Sequence, residues 1–339
     1  VTITREALQP NRLRQLALAF PLDWSSGRRF TLPDPRGLGP YYISWDAGTG
    51  TYGEDWEVAP RDERGILLSG SPIKFYHPIR IAQYALHMHE RLKNGDESAL
   101  RPFMSHARWL RDNQVNRFGM PGCYAFPFAW KKYGAEPGWI SGMAQGEAIS
   151  VLLRAEEVAP GFGYGDAAVN AAEPFRRPVT HGGVVWRGSG GATFFEEVAV
   201  EPAAHILNGS LFATFGLFDL LRCGGPSWVR GLFDDAVATL LRQIALFDSG
   251  YWSYYSLLAS RSGRRHVATL KYHAFHIAQL RVLTGMTGEG YFAAVAADWL
   301  RYQSSFESRV WTIVHELLGL VPRFITHDDT VAKGAHAIL

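Results

Sequence analysis

At 339 residues the chain can form one large domain or two ordinary ones, and 47% apolar with 13% aromatic residues is enough for a sizeable core. A formal net charge of +2 gives no support to a nucleic-acid partner, and no apolar run of about 18 residues suggests a membrane span. The two cysteines, Cys123 and Cys223, form no Cys-rich framework; a disulfide between them is allowed, and two buried thiols are the expectation.

Residues 1–70 are rich in Gly, Pro, Asp and aromatics, and read as an extension packed on the main domain. A short helix is expected from Asn11 to Phe20, and short strands at 41–45 and 65–68 form a small N-terminal β segment. From Pro78 the pattern turns helical, since Pro fits the first helical position. Ile79, Ala82, Ala85, Leu86 and His89 make the inward stripe, and Asn94-Gly95 ends it. Ser98 opens a second helix with Leu100, Phe103, Ala107 and Leu110 inward. Residues 118–136 lack a period and read as a long functional loop. Further helices are expected over 139–157, 202–222, 228–247, 272–283 and 290–304, with hairpins at 183–198 and 250–270 and one more helical run beyond Glu307. Residues 321–339 read as a tail. Paired antiparallel helices with little strand predict a mainly α protein, an α/α toroid or incomplete α/α barrel with short β-hairpins, over residues 71–320.

Ionisable side chains crowd one helix mouth: Tyr272, His273 and His276 precede the apolar face of Ile277, Leu280 and Leu283. The positive end of a helix dipole favours a phenolate there, which suits Tyr272 to proton transfer. His273 and His276 form H-x-x-H, which suits one zinc ion, but no third ligand is near in sequence. A satisfied pair in a site wall is the expectation, with no metal. No G-x-G-x-x-G follows a strand, and no cofactor is expected.

Four ordered segments resemble those of the D-glucuronyl C5-epimerases. They are Tyr76-His77-Pro78 with Ala82-Gln83-Tyr84; Gly138-Trp139-Ile140-Ser141-Gly142-Met143-Ala144-Gln145-Gly146-Glu147; Glu196-Glu197 with Pro202 and Leu207-Asn208-Gly209; and Tyr272-His273 with His276-Ile277 and Gln279-Leu280. The resemblance covers about residues 70–300. It implies the helical toroid of that family's C-terminal catalytic region and inversion of glucuronate to iduronate within a heparan-type polysaccharide. The chain departs from the family at three places. Val198 stands where a tyrosine follows the Glu-Glu pair, Leu258 stands where an arginine follows the hairpin tyrosine by three, and Glu147 replaces a glutamine.

Inverting C5 of a uronate needs two acid/base groups on opposite faces and donors or cations around the carboxylate. The expected proton-transfer residues are Glu197, Tyr272 and Tyr255. Tyr254 is the rival of Tyr255, because a one-residue slip exchanges the two faces of a strand. Expected substrate contacts are Tyr76, Gln145, Glu147, Asn208, Tyr254, Lys271, His273 and His276. Lys271, Arg264 and Arg265 are the nearest cations in sequence to replace the missing arginine. The Asn208-Gly209-Ser210 sequon is discounted on a buried helix.

The expected partner is an acidic polysaccharide, and a homodimer is allowed. The chain shows no signal-peptide core, so the compartment is open: extracytoplasmic or secreted if a leader has been removed. Three other functions share this sequence frame. A polysaccharide lyase uses the same proton abstraction. A glycoside hydrolase would use two of Glu136, Glu147, Glu196 and Glu197. A non-catalytic glycan-binding toroid needs neither.

Overall fold

The computed structural model describes residues 20, 24, 27–45, 56–70, 72–259, 263 and 265–319, with residues 318 and 319 in backbone only. The expected helix before Phe20, the hairpin tip with Arg264, and the tail at 321–339 lie outside the described residues.

The first helix among the described residues, α1 (Pro78–Lys93), runs over the expected span, and its stripe from Ile79 to His89 is buried. Asp96 caps a short 3-10 turn by accepting from the Ser98 N–H, and α2 follows (Leu100–Asp112). Leu100 is exposed, contrary to expectation, because the 3-10 turn rotates the start of α2 and leaves the stripe to Phe103, Ala107 and Leu110. The loop read over 118–136 holds more structure than its composition announced. A small hairpin, β1 (Val115–Arg117) and β2 (Met120–Cys123), pairs Val115 with Cys123.

Ser141 then caps α3 (Gly142–Val158), its hydroxyl accepting from Ala144 N–H. Helix α4 (Tyr164–Ala172) was not expected. Strands β3 (Val185–Arg187) and β4 (Thr193–Phe195) form the hairpin read at 183–198, in register Val185 to Phe195. Helix α5 (Leu207–Arg222) starts later than Pro202, and α6 (Trp228–Gln243) ends in a 3-10 turn. Strands β5 (Tyr254–Ala259) and β6 (Arg265–Val267) precede α7 (Leu270–Thr287), α8 (Gly290–Ser304) and α9 (Phe306–Gly319). The described N-terminal segment makes isolated bridges, Phe30 to Ile43 and Arg61 to Leu67, rather than the expected strands.

The protein is therefore mainly helical with small antiparallel hairpins. Helices α1, α3, α5 and α7 lie side by side in that order, backed by α2, α4, α6 and α8 respectively. Burial follows this layering. Nearly all of α3 and α5 is buried, whereas α8 buries one stripe of Phe292, Val295, Ala296, Trp299 and Gln303. The α3–α5 crossing is unusually close. A Cβ on Gly146 would lie 2.6 Å from the Ala213 Cα, and one on Gly216 would lie 2.3 Å from the Gly146 carbonyl oxygen.

A buried ion pair fastens the N-terminal segment to this crossing. Arg154 of α3 donates to Asp219 of α5 at 2.7 Å, both side chains fully buried. Its other N–H groups reach the carbonyls of Ser150, Gly39 and Leu38, and the Tyr42 hydroxyl donates to the second Asp219 oxygen at 2.5 Å. Cys123 is buried as expected, but Cys223 is exposed beyond the end of α5, and both are free thiols.

Candidate active site

Past the end of β4 the Glu196 N–H still donates to the Val184 carbonyl at 2.8 Å, and the chain then bends at Glu197. Glu196 is fully buried and turned to His205, accepting from its backbone N–H at 3.0 Å and lying 2.5 Å from its Nδ1. It thereby holds the turn into α5, where His205 has φ +48°.

Glu197 points the other way, against the first turn of α5. Gly209 makes room for it, since a Cβ there would fall 2.4 Å from the Glu197 carboxylate. Asn208 Nδ2 donates to Glu197 Oε2 at 3.4 Å, and Gln279 of α7 holds the Asn208 carbonyl at 3.0 Å. Burial, with Glu196 alongside, pushes the Glu197 carboxyl up to about 8, against the opposing influence of Lys132 and the Asn208 hydrogen bond.

The β5–β6 hairpin is tied to the same turn: the N–H groups of Leu257 and Leu258 both donate to the Ala204 carbonyl at 3.2 Å. This fixes which tyrosine faces inward. Tyr255 packs edge-on against Tyr272 of α7, ring centroids 4.8 Å apart. Tyr254 lies on the other face of the strand, 6.2 Å from the His315 ring and under the Arg265 guanidinium. Tyr272 sits in the first turn of α7, where Thr269 caps its N–H.

Lys132 joins the two halves of the cluster. Its ammonium stands 5.8 Å over the Tyr255 ring and 5.1 Å over Tyr133, and is electrostatically coupled to Glu197 and Glu316. Sequence reasoning missed it. The residue lies in the loop read as functional, but only folding brings that loop over Tyr255. On the far side of the same loop, Phe75, His77, Phe128 and Trp130 line an aromatic cavity of about 360 Å³.

The remaining expected contacts divide. Glu147 of α3 is fully buried and accepts from Gln83 Nε2 at 3.1 Å. Burial, and then the Glu197 charge, raise its carboxyl well above the usual range. Lys271 is brought down to about 8 by burial and by nearby Arg28.

Gln145 is absorbed by the core instead. It accepts from Tyr124 N–H at 2.9 Å and donates to the carbonyls of Gly122 and Ala171 at 2.8 and 2.7 Å. Tyr76 lies apart, donating to Asp62 at 2.8 Å and packing on Trp109. Arg265 donates to the Leu246 carbonyl at 3.0 Å, away from Tyr255.

His273 and His276 are both fully buried, with both Nδ1 atoms on Ser253 Oγ at 2.7 and 2.9 Å. His273 Nε2 lies 2.9 Å from the Trp299 carbonyl and must donate to it. Its Nδ1 is then the acceptor, and His276 Nδ1 donates to Ser253. This chain of bonds faces Trp252 and Trp299, on the side of α7 away from Phe275. Among the described residues no group of three or more His, Cys, Asp or Glu side chains is placed to hold a metal ion.

In this mainly helical protein a buried carboxyl, a tyrosine pair and a lysine thus share one cluster. Residues 116–301 match the D-glucuronyl C5-epimerase C-terminus model, more than half the chain, and the chain belongs to that family. It is 30% identical over 214 residues to the D-glucuronyl C5-epimerase of Caenorhabditis elegans, a match covering 59% of this chain and 34% of that protein. It is 24% identical over 180 residues to an uncharacterized protein of Methanocaldococcus jannaschii, covering 52% of this chain and 56% of the other. The match thus spans about a third of one relative's length and just over half of the other's.

The departures from the family pattern have plain structural settings. Val198 is fully buried in the main core, and Leu258 is half-buried on β5.

Proposed function

We propose that this chain is a uronate C5-epimerase acting on D-glucuronate residues of a heparosan-type polysaccharide. The four helix pairs would be hairpins of an incomplete α/α toroid over residues 71–320, with residues 1–70 packed on it and 321–339 as a tail. The observation that carries the reading is the cluster itself: a buried carboxyl near pKa 8, one weak hydrogen bond from Asn208, and Lys132 between it and the Tyr255–Tyr272 pair.

In this reading the ionised Glu197 takes the C5 proton, and the electron pair passes into the sugar carboxylate as an enolate. A tyrosine hydroxyl on the other wall returns a proton to the opposite face of C5. The reverse reaction exchanges the roles. A carboxyl near 8 suits both directions, because general acid–base groups work best when their pKa lies near the working pH. Asn208 holds Glu197 in place, and burial of Glu147 works against a second charge beside it. The retained Tyr272 and Tyr255 take on the task that a third tyrosine, absent at Val198, would share.

The test is proton NMR of glucuronate polymers incubated with the protein in D2O. Deuterium entering C5 without chain cleavage is the expected result. An unsaturated product would make the protein a lyase, and new reducing ends without unsaturation a hydrolase; either sinks the proposal.

A further inference from the structure

The carbon that is inverted carries a carboxylate, and that charge must be balanced as the enolate forms. Leu258 supplies no cation. Arg265 is turned to the Leu246 carbonyl and to Tyr254, and Lys271 lies on α7 beside Arg28, which is itself stacked 3.9 Å over Phe275.

Lys132 is placed differently. Its loop is pinned by reciprocal hydrogen bonds between Trp130 and Ala135, at 2.7 and 3.2 Å, and by Tyr133, which is buried edge-on against Trp130 at 4.9 Å. The ammonium is carried over Tyr255, and neither Glu197 nor Glu316 closes on it: among the described residues it makes no hydrogen bond and no ion pair. A cation held over an aromatic ring and near two carboxyls, yet unpaired, has its hydrogen-bond donors available to an incoming anion.

We propose that Lys132 anchors the carboxylate of the sugar being inverted, between Glu197 and Tyr255, and so makes the protein selective for uronates over neutral sugars. The assignment rests on the epimerase reading. It also accounts for how the site dispenses with a cation at Leu258: the charge comes from the 130–135 loop instead of from β5. The ionisable groups facing Lys132 are Glu197, Glu316, His266, Tyr133 and Tyr255. The competing role is a surface lysine that merely balances Glu197 and Glu316.

The experiment compares binding of a glucuronate-containing oligosaccharide with its carboxyl-reduced, glucose-containing counterpart, by calorimetry, for the full chain and for Lys132→Met. Met keeps the alkyl stem, and the exposed position lets the variant fold. The wild type should prefer the acid about tenfold or more, in the lower range of a charge-assisted hydrogen bond at a partly solvated site. Lys132→Met should lose that preference while binding the reduced sugar as before, and Lys132→Arg should restore part of it. A Met variant that still prefers the acid overturns the anchor and leaves the epimerase reading standing. A wild type that does not distinguish the two sugars overturns both.

Discussion

Two buried carboxylates in this molecule are handled in opposite ways. Asp219 has both oxygens engaged, by Arg154 and Tyr42, and Arg154 spreads its remaining donors over three backbone carbonyls. Glu197, by contrast, receives one long hydrogen bond among the described residues and shares its surroundings with Glu196 and with an unpaired lysine. A fully satisfied buried pair holds shape, and breaking it leaves a stranded charge. An under-satisfied carboxyl is costly to ionise, and its protonation state responds to whatever enters beside it. The first arrangement is a fastener, and the second is the one proposed as the site. The Arg154–Asp219 pair joins α3 to α5, and Glu197 packs against the first turn of the same α5 at Gly209.

The comparison breaks if substitutions at the two places have the same signature. At the site, Glu197→Gln and Tyr272→Phe should each lower turnover of a glucuronate polymer by about 10²–10⁴-fold, the usual contribution of a general acid or base. Circular dichroism should show the fold unchanged. In the wild type, turnover in the direction that uses Glu197 as base should rise with pH up to about 8, as the carboxyl ionises. Near-normal turnover of either variant would remove that residue from the mechanism.

At the fastener, Asp219→Ala should destabilise the protein by about 3–5 kcal/mol, because Arg154 is left charged, buried and short of its partner. Denaturant unfolding measures this. Turnover of the molecules that remain folded should stay near wild type. If Asp219→Ala unfolds at the wild-type midpoint, the fastener reading fails.

The same contrast explains what could be read from the sequence. Helix α1 was legible because its period and its ends agree: Pro78 at the start, Asn94-Gly95 at the stop, and a stripe between. The hairpins were legible from turn residues and alternation. Helix α4 carries a weak sequence signal although Tyr164, Ala167, Ala168, Ala171 and Ala172 do repeat at helical spacing, because four of the five are alanines and give little apolar contrast. The segments resembling the epimerases brought out Glu197, Asn208 and Tyr272, and the hairpin tyrosine added Tyr255; the fold sets Asn208 on Glu197 and Tyr255 against Tyr272. The same segments also delivered Gln145, a structural brace: a motif preserves what the fold needs and what the chemistry needs without marking which is which. Lys132 had no such signal. Its placement depends on a loop folding back over Tyr255, and sequence spacing carries no trace of that.

A smaller effect sharpens the contrast through pH. Glu197 is held near 8 in the folded protein against 4.5 for an ordinary glutamate. Below pH 4.5 the folded and unfolded carboxyls are both protonated and the residue costs nothing. Between 4.5 and 8 the unfolded chain releases a proton that the folded one keeps, so the wild type loses stability as pH rises, by at most about 1.4 kcal/mol for each pH unit. Above 8 the loss levels off. Glu197→Gln has no such loss, so its stability relative to wild type should grow from pH 5 to pH 8 in parallel melts. A constant difference across that range would mean that Glu197 is an ordinary carboxylate, and that the site is as well satisfied as the fastener.

The smallest effect concerns Tyr76, which the sequence offered as a substrate contact. Its hydroxyl donates to Asp62, whose other oxygen accepts the N–H groups of Arg64 and Ile66 and so closes the 62–66 turn. Arg64 also lies 3.6 Å from the Asp62 carboxylate. Asp62 therefore keeps most of its partners when one hydroxyl is removed, and its position near the surface lets water replace the rest. Tyr76→Phe should cost about 0.5–1.5 kcal/mol, the net worth of a typical hydrogen bond, and leave turnover unchanged. The ring can still pack on Trp109, so the turn should keep its shape. The opposite result, normal stability with a several-fold rise in KM, would place Tyr76 on the path of the polymer. The site would then reach well beyond the Glu197 cluster, and the division between fastener and site would have to be redrawn around Asp62.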